Sequence, residues 1–210
     1  MTTRGKFITF EGPEGGGKTT QARRLVDRLQ AAGRKVVYTR EPGGTPTGEA
    51  IREILQHDKS GEPICRETEV LLFAASRAQL VRHVIVPALE RGDWVVCDRF
   101  ADSTTAYQGY GRGFSVEQMI AINEFAIDGA QPDLTLLLDL PVSDGFARLA
   151  QRGGVTDRIE REALDFHERV RAGYLELARR WPARFRIVDP RGALEAVAEE
   201  IWKLVACDQQ

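Results

Sequence analysis

Phe7-Ile-Thr-Phe-Glu11, followed by Gly12-Pro-Glu-Gly-Gly-Gly-Lys18-Thr19, decides the fold of this chain. The first five residues are short, apolar and bounded by glycine, which reads as a strand. After Lys18 the apolar positions Ala22, Leu25, Val26 and Leu29 recur at helical spacing and stop at Gly33, so residues 18–32 read as a helix. A turn of the form G-x-x-x-x-G-K-[ST] between a strand and a helix is a phosphate-binding loop. Its glycines let backbone N–H groups curl around phosphate oxygens, and the helix start points its positive end at the same anion. Lys18 can neutralise the outer phosphates of a nucleoside triphosphate, and Thr19 can ligate Mg2+ through its hydroxyl.

Outward from the loop, residues 36–41, 93–99, 134–140 and 185–189 are four more short apolar segments. Continuous apolar runs, without in/out alternation, suit strands covered on both faces. Helical patterns fall between them at residues 66–91, 115–127, 142–152, 162–181 and 193–205. Ser115 followed three residues on by Gln118 is a capping-box signal. Residues 42–48, 57–63 and 151–162 are rich in Gly, Pro or charge and read as loops. Strands alternating with helices predict an α/β fold, a three-layer sandwich with a five-stranded parallel sheet flanked by helices, and the loops read as mobile attachments to it. With 210 residues, the chain is expected to be a single domain over 1–210.

Composition narrows the function. There are 29 basic and 31 acidic residues, a net charge of −2, which argues against a sequence-independent nucleic-acid binder. The richest apolar run, residues 134–140, is interrupted by Thr135 and Asp139, so no segment is expected to span a membrane. The first residues carry no apolar signal-peptide core. Cys65, Cys97 and Cys207 are odd in number and far apart, which suits a reducing cytoplasm better than a disulfide framework.

The acceptor of the phosphoryl group has to be sought elsewhere. Glu11, Glu41, Asp98 and Asp139 lie at or near strand carboxyl ends, the edge where parallel sheets bind ligands. If the strand at 93–99 neighbours the first, Asp98 sits beside the loop and can hold Mg2+ directly or through water. Arg99 next to it offers a planar fork for a phosphate. Phe73 and Arg77 are four apart and share one helix face. That pair suits stacking on a base and hydrogen-bonding its carbonyl, although a lone Phe73 is more often core.

Taken together, FEGPEGGGKTTQ, TREPGGTPTGE with the following IR, LLFAASRAQL, the DRF–DST–AYQGYGRG run and DRIERE resemble the bacterial thymidylate kinase family, in family order and over nearly the whole chain. The resemblance implies phosphorylation of dTMP to dTDP by ATP with Mg2+, in a cytoplasmic homodimer. It implies that Gly12, Pro13, Glu14, Gly15, Gly16, Gly17, Lys18, Thr19 and the adjoining Thr20 bind the ATP phosphates, and that Glu14 also approaches the acceptor's sugar and phosphate. On the acceptor side it implies Phe73 stacked on thymine, Arg77 on a thymine carbonyl and Arg99 on the acceptor phosphate. Arg52 would lie near that phosphate, with Arg40 after it. Thr104 and Gln108 would touch the base edge, and Tyr107 the sugar, where it disfavours a 2′-hydroxyl. Some members carry an arginine in the loop after the acid. This chain has Gly15 there, which points to a cation from the lid, residues 148–162, with Arg148, Arg152 and Arg158. Arg152, before Gly153-Gly154, is the first choice for the transferring phosphoryl, and Glu160 is a candidate for orienting a metal-bound water.

Two other readings stay open at this level. The phosphate loop and the Asp98-Arg99 pair also fit another nucleoside monophosphate kinase. A non-catalytic nucleotide switch would share the loop, but it has no need of several arginines poised for a second anion.

Overall fold

The structure is a computed structural model and describes residues 4–57, 62–153 and 157–207. In chain order its elements are β1 (Phe7–Glu11), α1 (Lys18–Ala31), β2 (Val36–Arg40), α2 (Pro46–His57) and α3 (Arg66–Leu80). A wide π-helical turn over Val81–Ile85 joins α3 to α4 (Val86–Glu90). After β3 (Trp94–Asp98) and α5 (Ala101–Thr104) comes a second wide stretch, Thr105–Gly111. The chain continues through α6 (Val116–Ile127), β4 (Leu134–Leu138), α7 (Val142–Arg152), α8 (Leu164–Arg180), β5 (Phe185–Val188) and α9 (Leu194–Cys207).

The five strands form one parallel sheet in the order β2-β3-β1-β4-β5. Alternate residues of each strand feed cores on opposite faces. Ile8, Phe10, Val96, Leu134 and Leu136 pack with Leu25, Leu29, Val197 and Ile201 of α1 and α9. Phe7, Val95 and Cys97 pack with Leu80, Val81, Ile85 and Leu89 of the α3–α4 helix and with Ile127 of α6. Leu137 and Phe185 meet Val170, Tyr174 and Leu177 of α8. Helices on both faces explain why the strands read as unbroken apolar runs. The predicted three-layer α/β sandwich is the observed fold. Central β1 lies between β3 and β4, with Phe10 in register with Asp98, so the phosphate loop and the Asp98-Arg99 pair leave the sheet side by side.

Several local features differ from the sequence reading. Residues 42–48, read as a loop, contain the start of α2. Thr45 accepts the Gly48 N–H through its hydroxyl at 3.0 Å and the Glu49 N–H through its carbonyl at 2.8 Å. Pro46 then occupies the first helical position, where its missing N–H costs nothing. Residues 101–111, given no element from sequence, are helical throughout. Ser115 caps α6 as expected, accepting the Gln118 N–H at 3.3 Å.

The helical run Arg66–Glu90 is 25 residues long and contains an 18-residue window of mean hydropathy 1.3, long and apolar enough to cross a membrane by those measures alone, where the sequence predicts no such span. Its Leu80, Val81, Ile85, Ala88 and Leu89 are core residues, so packing inside the protein accounts for part of that apolarity, with 39% of the window buried. All three cysteines are free, Cys97 buried and the other two exposed.

Candidate active site

A cavity of about 510 Å³ opens over the carboxyl edge of β1 and β3. The phosphate loop lines one side, and Phe73, Arg77, Thr104, Tyr107 and Gln108 line the other, with Asp98 and Arg99 among its walls. Thus elements far apart in sequence deliver their polar ends to one space, as the strand-end rule predicts.

Close backbone approach shapes the loop. Gly12 has φ +133°, and a Cβ there would lie 2.4 Å from the Leu138 carbonyl oxygen. Gly15 has φ +71°, and its Cβ would lie 2.4 Å from the carbonyl oxygen of Gly145 in α7. No side chain fits at Gly15 in this arrangement without moving α7. Lys18 Nζ donates to the Pro13 carbonyl at 2.6 Å and so caps the loop. Burial and the nearby Arg99 push the Lys18 pKa down to about 8, against the pull of Glu14, Asp98 and Glu11.

Thr19 Oγ1 donates to Asp98 Oδ2, so the two expected metal-binding oxygens are in direct contact. Among the described residues no group of three or more His, Cys, Asp or Glu gathers in the manner of a structural metal centre. A hydroxyl and a carboxylate beside a phosphate loop nevertheless match Mg2+, a hard cation that keeps several waters and takes few protein ligands.

Arg99 is the centre of the site. It follows β3 with φ +69°, the left-handed region that a non-glycine residue occupies only under constraint. Its backbone N–H donates to the Phe10 carbonyl at 2.9 Å, holding it against the start of the phosphate loop. One terminal nitrogen donates to Glu14 at 2.6 Å and the other to the Gly12 carbonyl at 3.1 Å and to the Tyr174 hydroxyl at 3.3 Å. The Tyr107 hydroxyl also donates to Glu14, at 2.6 Å. Burial opposes the Glu14 charge, but Arg99, Lys18 and the Tyr107 bond outweigh it and hold its pKa at about 2. Burial likewise opposes the Arg99 charge, yet Glu14 and neighbouring groups keep it well above the usual range.

Behind this pair sits Glu11, fully enclosed at the end of β1. It accepts from the Phe100 N–H at 2.8 Å, the Ser103 hydroxyl at 2.6 Å and the Tyr174 hydroxyl at 3.0 Å. Burial and the nearby Asp102 raise its pKa to about 7, against the Ser103 bond and Arg99.

On the far side, Phe73 is half-buried at the cavity wall and belongs to none of the core clusters. Arg77 is 1% exposed. Its Nε and Nη2 fork onto Glu41, with the shortest contact 2.6 Å, while Nη1 reaches Asn123 at 2.7 Å and Nη2 the Thr104 hydroxyl at 2.9 Å. Burial raises the Glu41 pKa to about 6 against the pull of Arg77. Arg77 is thus clamped with its plane fixed at the cavity. Gln108 donates to Glu69 at 2.9 Å.

The remaining arginines divide. Arg52 and Arg148 line the cavity. Arg52 donates to the Pro42 carbonyl at 2.9 Å, and Arg40, also a wall residue, pairs with Glu49 at 2.8 Å. Arg148 bridges the Gly15 carbonyl at 3.4 Å and the Pro190 carbonyl at 2.9 Å. Arg158 turns away from the phosphate loop: it donates to the Leu55 carbonyl at 3.1 Å and pairs with Glu69. Glu160 lines the cavity and accepts the Asp157 N–H at 3.0 Å. Arg152 ends α7, but its side chain, like residues 154–156 of the expected lid, lies outside the described residues. Thr20 is exposed at the cavity.

Sequence reasoning missed some of these parts. The sequence marks Glu11 and Glu41 only as strand-end acids. Glu69 sits four residues before Phe73 on its helix face, a spacing that could have flagged it. Tyr174 and Ser103 join the site only through tertiary contact. Asp139, grouped with the strand-end acids, lies outside the cavity in a bidentate pair with Arg171, at 2.7 and 2.9 Å.

The family model described as thymidylate kinase matches residues 10–201. A thymidylate kinase of Deinococcus radiodurans is 51% identical over 205 residues, covering 97% of this chain and 98% of its own. Thymidylate kinases of Pelotomaculum thermopropionicum and Pseudomonas putida are each 51% identical, covering 95% and 96% of this chain and 92% and 95% of theirs.

Proposed function

The chain belongs to the thymidylate kinase family, a family of nucleoside monophosphate kinases, and we propose how its cleft divides the labour of passing the γ-phosphoryl of ATP to dTMP. The observation that carries this reading is the cavity itself. A phosphate loop faces an aromatic and an arginine clamped for base recognition, and the Arg99–Glu14 pair lies between them.

ATP phosphates are held by residues 12–20, with Lys18 exchanging its bond to the Pro13 carbonyl for phosphate oxygens. The oxygens gain a cation, and the buried ammonium gains anions that restore its charge. Thr19 and Asp98 would hold Mg2+, which when bound supplies positive charge to the phosphate oxygens.

Acceptor binding falls to Phe73, by stacking on thymine, to Arg77, by donating its remaining N–H to a base carbonyl, and to Thr104 and Gln108 at the base edge. Arg99 grips the acceptor phosphate. Glu14 orients Arg99 and Tyr107 toward it, and Arg52 adds charge from the wall. The attacking atom is a phosphate oxygen, ionised near neutral pH, so the task is to bring two anions together in line rather than to abstract a proton.

Residues 148–162 act as a lid on one kinase domain spanning 1–210. Arg148 reaches the loop, and Arg152 supplies charge to the transferring phosphoryl. Lid closure excludes water, which limits wasteful hydrolysis of ATP. The proposed assembly is a homodimer, supported by Leu71 and Phe125, 62% and 88% exposed on the neighbouring helices α3 and α6. The cytoplasm, where ATP and free thiols coexist, is the proposed compartment, with neither a membrane nor a nucleic acid as partner.

The test is an acceptor screen with ATP and Mg2+ against dTMP, dUMP, UMP, AMP and GMP. The expected result is the highest kcat/KM for dTMP. A purine or ribose acceptor that wins, or ATP binding with no acceptor phosphorylated, would overturn the reading.

A further inference from the structure

Glu69 is a buried acid with no task in the reaction just described. It lies on α3 four residues before Phe73 and eight before Arg77, on the same helix face. Its side chain is 2% exposed. Two arginines from different segments converge on it. Arg112 forks onto both carboxylate oxygens at 3.1 and 3.2 Å, and Arg158 reaches it from the lid stretch. Arg112 is itself fixed by Glu162 at 2.7 Å. Burial raises the Glu69 pKa, but the bonds from Arg112 and Gln108 and the charge of Arg158 outweigh this and hold it below the usual range.

An ionised carboxylate only accepts hydrogen bonds, so of the two ends of a side-chain amide only the NH2 can face it. Gln108 does so, its Nε2 lying 2.9 Å from Glu69 Oε1. The orientation of the Gln108 amide is therefore set by chemistry. Its carbonyl oxygen is turned away from Glu69, Gln108 lines the cavity, and no donor among the described residues reaches that oxygen.

We propose that Glu69 is a specificity-determining positioning residue: it locks the Gln108 amide so that only a carbonyl oxygen meets the acceptor base. A pyrimidine with a ring N–H opposite, as in thymine, satisfies that acceptor. Cytosine presents a ring nitrogen that is itself an acceptor and leaves two lone pairs opposed. Without the carboxylate the amide is free to turn over and offer its NH2, and the penalty on cytosine is lost. The inference rests on the acceptor reading given above.

The test compares kcat/KM for dTMP and dCMP in wild type, Glu69→Gln, Gln108→Ala and the double variant. The ratio is read within one protein sample, so partial loss of folded enzyme does not move it. Wild type is expected to favour dTMP strongly, and Glu69→Gln to lower that preference roughly tenfold or more. In the Gln108→Ala background the same substitution is expected to change the ratio no further. A Glu69→Gln enzyme with the wild-type ratio, or one whose effect persists without Gln108, overturns the lock and leaves the acceptor reading standing. A wild type indifferent to the two bases overturns both. Should Glu69→Gln not fold, hydrogen exchange of the Gln108 side-chain amide in wild-type protein, followed by NMR, decides the matter. Protection supports the lock, and exchange as fast as an exposed glutamine overturns it.

Discussion

Arg99 and Glu14 meet at 2.6 Å across the mouth of the phosphate loop, so the arginine proposed for the acceptor phosphate is already paired with the loop's own acid. The pair does two things. It keeps Arg99 charged and oriented while the site is empty, and it ties the donor loop to the acceptor wall through one hydrogen bond. A lysine cannot reproduce the fork that also reaches the Gly12 carbonyl.

Arg99→Lys should therefore lower kcat/KM for dTMP by roughly 10- to 100-fold, with the KM for ATP changing far less. Steady-state kinetics with each substrate varied in turn checks this. An equal loss for both substrates would show that Arg99 serves the whole loop rather than the acceptor.

Lys18 is buried against the Pro13 carbonyl, and burial with the nearby Arg99 pushes its pKa down to about 8, so the proposed role is to meet phosphate rather than to hold the fold. Lys18→Ala is expected to cut kcat by about 10² or more while the melting temperature moves little, since phosphate-clamping cations act mainly on the transition state. Retained turnover would remove Lys18 from the mechanism.

Phe73 stands at the cavity wall outside the core clusters, so shortening it removes a stacking surface and little packing. Phe73→Ala should raise the KM for dTMP by roughly one to two decades, because stacking on an aromatic is worth about 1–3 kcal/mol per base. The KM for ATP serves as the internal control, and an unchanged KM for dTMP would return Phe73 to a structural role.

Gly15→Ala puts a methyl group 2.4 Å from the Gly145 carbonyl oxygen at φ +71°. Strain at such a position costs about 1–3 kcal/mol, before any shift of α7. Urea denaturation should show a loss of that order together with weaker ATP binding. A variant as stable as wild type would mean the loop relaxes freely.

Glu11 and Glu14 should pull stability in opposite directions with pH. Glu11, with a folded pKa of about 7 against an ordinary 4.5, holds its proton more tightly in the folded protein. Its contribution is complete below about pH 4.5 and is lost as pH rises through 7. Glu14, at about 2, contributes fully above 4.5 and loses that contribution as pH falls toward 2. The melting temperature of wild type relative to Glu11→Gln should therefore fall between pH 5 and pH 8. A difference that does not vary with pH would contradict the buried, proton-holding state of Glu11.

Much of this was legible in the sequence because it is local. The strand, the glycine turn and the Lys18 helix are neighbours along the chain, so hydrophobic period and turn chemistry reveal them directly. The start of α2 was obscured because Thr45-Pro46 is both a loop signature and a helix cap, and only the hydrogen bonds to Gly48 and Glu49 tell them apart. Phe73 was not decided by the sequence because an aromatic at helical spacing is more often core, and only its place at the cavity wall separates the two readings.

The sequence by itself determined the α/β alternation, the phosphate loop and the carboxyl-edge position of Asp98 and Arg99, since each follows from spacing and residue type. Only the tertiary structure decided what those groups meet. The Thr19–Asp98 contact, the Arg99–Glu14 pair, the Arg77–Glu41 clamp and the convergence of Arg112, Arg158 and Gln108 on Glu69 join residues 36 to 89 positions apart. Electrostatic pairing depends on distance through space in a low-dielectric interior, and that distance does not exist until the sheet order brings the strand ends together.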